Sequence, residues 1–151
     1  MNIIEDTKAE WRELGFFYER IDQKKEWIFK GDKAGLLKLS EVFKRYGQNE
    51  KNRPSFEHDH YGPYMYFKLM TMDAERGFND NVIYGSLEDI VDLGRIVEKR
   101  VIKMKEGEVE SLRNEYNRDS EYDLKIILEP EGFDPVSVDA WIKQKESEQA
   151  L

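Results

Sequence analysis

The sequence predicts an α+β fold of about six strands in one mostly antiparallel sheet, with two amphipathic helices packed on one face, arranged as repeated ββα units. Three observations lead there. Short runs of aromatic and branched residues alternate with polar turns, two longer segments carry apolar residues at helical spacing, and each of those segments follows a strand that ends in glycine. At 151 residues, 39% of them hydrophobic and 13% aromatic, the chain can bury a core without cross-links. One domain over residues 1–151 is expected, divided into a first ββα unit (11–47), a second (64–105), a final hairpin (108–130) and a tail or marginal helix (136–151).

The elements follow in order. From Trp11 to Asp22, the residues Phe16, Phe17, Tyr18 and Ile21 predict a strand closed by Asp22-Gln23-Lys24-Lys25, and Glu26 to Lys30 supplies its hairpin partner. After Gly31, the spacing of Leu36, Leu37, Leu39, Val42, Phe43 and Tyr46 predicts an amphipathic helix, with Asp32 as N-cap and Gly47 as a left-handed stop. Gln48 to Pro63 reads as a long polar loop, and long loops in compact domains are often functional. Tyr64 to Met72 is apolar at nearly every position and reads as a central strand.

A polar turn from Asp73 to Asp80 leads to the short run Asn81-Val82-Ile83-Tyr84. The second helix follows Gly85-Ser86, with Ser86 as N-cap and Leu87, Ile90, Val91, Leu93, Ile96, Val97 and Val101 on its apolar side. Setting Gly31 on Gly85 aligns Asp32 with Ser86, Leu36 with Ile90, Leu39 with Leu93 and Phe43 with Val97, so one strand–Gly–helix unit is used twice. Val109 to Tyr116 is a further strand candidate. Tyr122 to Glu129 alternates cleanly enough to predict one buried and one wet face, and Val138 to Glu148 closes the chain as a marginal helix.

The chain contains no cysteine, which excludes a disulfide framework, a thiolate metal site and a cysteine nucleophile. The N-terminus lacks a basic region followed by an apolar run, and no stretch reaches the ~20 apolar residues of a bilayer span. A cytoplasmic protein without membrane contact is expected. A net charge of −8 repels nucleic-acid phosphates and attracts basic surfaces, so direct nucleic-acid binding is disfavoured and a basic protein partner is favoured. No phosphate-binding, dinucleotide-binding, serine-elbow or zinc-protease motif occurs, and neither a catalytic residue nor a cofactor is nominated.

The two histidines stand in Glu57-His58-Asp59-His60, and in extended backbone His58 and His60 point the same way, a spacing compatible with two ligands to one divalent ion. The plainer reading is a surface loop. With Tyr61 and Tyr64, which flank Gly62-Pro63, the same residues form the candidate partner-binding set: Glu57, His58, Asp59, His60, Tyr61 and Tyr64.

Gly31-Asp32-Lys33-Ala34-Gly35-Leu36-Leu37, Glu57-His58-Asp59-His60-Tyr61-Gly62-Pro63-Tyr64-Met65, Ile83-Tyr84-Gly85-Ser86 and Gly132-Phe133-Asp134-Pro135 together resemble small bacterial immunity-type proteins of polymorphic or contact-dependent toxin systems. The resemblance implies a non-enzymatic protein that binds and blocks a cognate, basic toxin domain inside the producing cell. The rival reading is a metal-binding protein or metal-dependent enzyme that uses His58 and His60. A purely structural homo-oligomer is the third.

Overall fold

A computed structural model describes residues 2–150; Met1 and Leu151, the ends of the predicted domain, lie outside the described residues. Helix α1 (Ile3–Leu14) starts at Asn2, whose Oδ1 accepts the Ile4 N–H at 3.0 Å, and stops at Gly15 in the left-handed conformation. The segment from Trp11 to Leu14 therefore ends a helix rather than beginning a strand. Ile4, Thr7 and Trp11 recur at helical spacing and are buried, and caps at both ends fix the helix boundaries.

Strands β1 (Phe17–Ile21) and β2 (Glu26–Gly31) form the expected antiparallel hairpin, with Tyr18 opposite Phe29. Helix α2 (Lys33–Gln48) begins at Asp32, whose Oδ1 accepts the Gly35 N–H at 2.8 Å. It runs through Gly47, which is not the left-handed stop. Glycine is required there for another reason: a Cβ would lie 2.4 Å from the carbonyl oxygen of Leu87.

The middle of the chain holds β3 (His58–Tyr61), β4 (Phe67–Thr71), β5 (Gly77–Phe78) and β6 (Ile83–Gly85). Two of these lie inside segments that read as turns or loops, because β3 and β5 are short and polar or glycine-bearing and exist through pairing with β4 and β6. Helix α3 (Leu87–Lys103) opens with a capping box in which Ser86 Oγ accepts the Asp89 N–H and Asp89 accepts the Ser86 N–H, both at 3.0 Å. Beyond it come β7 (Val109–Ser111), α4 (Arg113–Asn117), β8 (Asp123–Leu128) and α5 (Ala140–Gln149). The strand expected over 109–116 stops at Ser111. Leu112 and Tyr116 are buried four residues apart, a helical spacing.

The α+β class holds, but the single sheet does not. The strands form two four-stranded mixed sheets, ordered β1-β2-β8-β7 and β3-β4-β6-β5, and in each the two central strands are parallel and both outer pairs antiparallel. The predicted pair of ββα units becomes a pair of ββαββ halves that exchange hairpins. Each sheet takes two strands from each half.

The matched positions of the two helices meet across an approximate twofold. Ser40 Oγ donates to the Gly94 carbonyl at 2.7 Å, and Lys44 Nζ donates to Glu98 at 2.9 Å, each pair being 54 residues apart, as are Gly31 and Gly85. Two helices sharing a seam still carry apolar surface on both flanks. Two sheets cover it where one would leave a flank wet, and a single buried cluster runs through α2, α3 and both sheets, with Phe67 of β4 against Phe29 of β2 at 5.1 Å. Among the described residues no helix is long and apolar enough to cross a membrane.

Candidate functional site

The segment between the two helices is tied down by two buried side chains. The Tyr46 hydroxyl donates to the carbonyl of Glu57 at 2.8 Å and lies 2.8 Å from Thr71 Oγ1, which itself donates to the carbonyl of Asn52 at 2.6 Å. The long loop expected over 48–63 is thus a short 3₁₀ turn at Glu50–Asn52 followed by the edge strand β3. Strand β3 lies at the end of its sheet and pairs only with β4, His58 opposite Met70 and His60 opposite Lys68.

The ladder fixes which way each group of β3 points. The Thr71 N–H donates to the Glu57 carbonyl at 2.9 Å, and antiparallel alternation then turns the backbone N–H and C=O of His58 and His60 away from β4, toward the free edge. Asp59 Oδ1 accepts the His60 N–H at 2.9 Å and blunts that edge. His58 and His60 share one face with their rings 5.5 Å apart, as expected from the spacing. Asp59 and Tyr61 take the other.

After β3 the chain turns sharply. Gly62 has φ 73°, with Leu14 Cδ2 and Tyr18 close to where a Cβ would be, while Tyr64 and Met65 adopt φ 68° and 61°. The central strand expected from Tyr64 therefore begins only at Phe67. Left-handed backbone at two successive non-glycine residues is uncommon and is held by contacts from outside the turn. The Tyr18 hydroxyl donates to the Pro63 carbonyl, and the Tyr64 hydroxyl donates to Asp139 Oδ2 at 2.6 Å.

Asp139 is the hub of this arrangement. Its carboxylate, on a residue 3% exposed, also accepts the Trp11 Nε1–H at 2.7 Å and the backbone N–H groups of Trp141 and Ile142 at 2.8 and 3.1 Å. One side chain thus caps α5 and joins it to α1 and to the turn. The Tyr64 phenol is pushed up by burial, with the Asp139 hydrogen bond adding to it, and that of Tyr61 is pushed up by burial and by the neighbouring Asp59.

The six candidate residues divide accordingly. Glu57, His58 and Asp59 are exposed on the sheet edge, and His60 is half-buried beside them. Tyr61 packs on Phe67 at 5.3 Å and is mainly framework, whereas Tyr64 is held by ring contacts with Trp11, Tyr66 and Trp141 yet stays 41% exposed. The exposed apolar groups are neighbours that the sequence did not single out: Phe56, Met65 and Tyr66 are 65%, 61% and 59% exposed. Reading Tyr64 to Met72 as one buried strand hid the last two. Only the Gly62-Pro63 dipeptide hinted at the turn that exposes them.

A cleft of about 740 Å³ opens on the Asp59 side, between α1, α2 and β3. Glu10, Glu13, Glu41 and Asp59 line it against Lys38 and Arg45, with Tyr46 and Tyr61 among its walls. Among the described residues Glu10, Glu13, Glu57 and Asp59 form no ion pair, and no group of three or more metal-binding side chains gathers. No protein-family model, curated protein or solved structure matches the chain.

Proposed function

We propose that this chain is a non-enzymatic protein-binding module, and that the surface built on β3 and the Gly62–Tyr66 turn receives a basic protein partner. The partner in view is a toxin domain, as expected of an immunity protein that neutralises a cognate bacterial toxin. One observation carries the reading: an exposed sheet edge is bordered on one side by carboxylates that form no ion pair among the described residues and on the other by the projecting Phe56, Met65 and Tyr66. Apolar anchors of this kind supply most of the affinity of a protein interface once water is excluded around them. The acidic border steers a basic partner to the site, in line with the net charge of −8. The backbone N–H and C=O of His58 and the C=O of His60, which face away from β4, fix the register of an incoming strand.

The test is growth rescue. The C-terminal domain of the protein encoded next to this chain is expressed alone and together with it. Toxicity relieved by the native chain, but not by the folded variant Phe56→Asp/Met65→Asp, supports the reading. A neighbouring product without toxicity, or rescue unaffected by the double variant, contradicts it.

A further inference from the structure

We propose that His58 and His60 form a binding site for one zinc-like divalent transition-metal ion, held by the Nε2 atoms of both rings. The proposal goes beyond the partner surface and does not depend on it.

The first support is the state of the rings. His58 Nδ1 lies 3.2 Å from the Phe56 carbonyl oxygen, and His60 Nδ1 lies 2.9 Å from that of Met65. A carbonyl oxygen only accepts, so each contact calls for a proton on Nδ1, and in the neutral ring the lone pair then lies on Nε2. Metal-binding histidines are commonly held this way, one nitrogen anchored to a carbonyl or carboxylate and the other presented to the ion.

The two carbonyls come from special residues. Phe56 and Met65 are two of the four non-glycine residues among those described with positive φ, at 70° and 61°. They approach β3 from opposite ends, one before the strand and one after the turn. Unfavourable backbone on both sides thus coincides with the anchoring of both imidazoles, and such strain tends to collect at functional sites.

Ring spacing is the third support. An ion bound at ~2.0–2.1 Å from each Nε2 in a tetrahedral arrangement puts the two ring centroids roughly 5 Å apart. The observed separation is 5.5 Å, with the rings perpendicular. Imidazole nitrogen selects zinc, nickel or copper over calcium or magnesium. Asp59 is occupied with the His60 N–H on the other face of the strand, so two protein ligands hold the ion and water fills the rest of its shell. The cross-strand neighbour of His60 is Lys68, whose charge opposes the ion and whose position suits a further ligand.

Calorimetric titration of the metal-free full-length protein with zinc chloride, and separately with nickel chloride, tests the site. One equivalent bound with micromolar affinity is expected, weakened about tenfold or more by His58→Ala or His60→Ala and lost when both are replaced. Lys68→Glu, which removes the opposing charge and supplies a carboxylate, should tighten binding about tenfold. Nitrogen-15 NMR of the metal-free protein should find Nε2 unprotonated in both rings and should show those two resonances moving on addition of zinc. Absence of saturable binding, binding unchanged in the folded double-alanine variant, or rings protonated on Nε2 and bare on Nδ1 would overturn the proposal.

Discussion

At the scale of single residues, the arrangement rests on Asp139 more than on any residue prominent in the sequence. Four donors converge on its buried carboxylate, two from side chains far away in the chain and two from the first turn of α5. Asp139→Ala strands the Trp11 and Tyr64 donors and removes a helix cap, so unfolding free energy should fall by about 2–4 kcal/mol. Denaturant titration measures it. The mobility of the Tyr64–Tyr66 turn should rise in the same variant, seen as faster amide exchange.

The tyrosines give a pH prediction of definite sign. Burial pushes the Tyr18 phenol from about 10 up to about 12, and Tyr61, Tyr64 and Tyr116 also move upward. The folded state keeps these protons longer than the unfolded state does. The Tyr18 contribution is therefore complete below pH 10 and lost as pH rises from 10 through 12, and those of the other three are lost in the same direction as each ionises. Thermal melts across that range should show a progressive fall in midpoint, with phenolate absorbance appearing together with unfolding. Early ionisation of these tyrosines in the folded protein would contradict the burial assigned to them.

Among the elements, the crossing of α2 and α3 sets the tolerance to substitution. A Cβ at Gly47 would meet the Leu87 carbonyl at 2.4 Å, and one at Gly94 would meet the Ser40 carbonyl at 2.8 Å, backbone that cannot move without separating the helices. Alanine gains up to ~1 kcal/mol in helix propensity, whereas overpacking costs ~1–3 kcal/mol, so Gly47→Ala should destabilise on balance. A stabilised variant, measured by chemical denaturation, would show that the seam is looser than described.

The same elements show what could be read from the chain. Asp32 and Ser86 mark helix starts through local hydrogen bonds, and the apolar spacings of α2 and α3 need no partner to be recognised. Helix α1 carried comparable signals in Asn2, Ile4, Thr7, Trp11 and Gly15, but the aromatic cluster at Phe16–Tyr18 drew its last turn into the strand reading. Strands β3, β5 and β7 were hidden or blurred, because their backbones are ordered by strands with which they do not share a continuous apolar pattern. At the site, the side-by-side placement of His58 and His60 followed from alternation alone. The exposure of Phe56, Met65 and Tyr66 depends on positive-φ backbone, which no local pattern announced.

Taken as a whole molecule, the repeat of strand, glycine and helix was visible, whereas the exchange of hairpins was not. Pairing β2 with β8 joins segments near opposite ends of the chain, and only three-dimensional packing selects it over six strands side by side. Both helices and the central strands are engaged in the shared core, and β3 stands at a sheet edge outside it, beside carboxylates that form no ion pair among the described residues and three projecting apolar groups. The central claim is that this edge receives a basic protein. Calorimetric titration of the C-terminal domain of the protein encoded next to this chain into the native protein and into Glu57→Lys/Asp59→Lys tests it most directly. The account predicts one-to-one binding that weakens with added salt and falls by about a hundredfold in the charge-reversed protein. Equal affinity for the two proteins, or no binding to the native one, would contradict it.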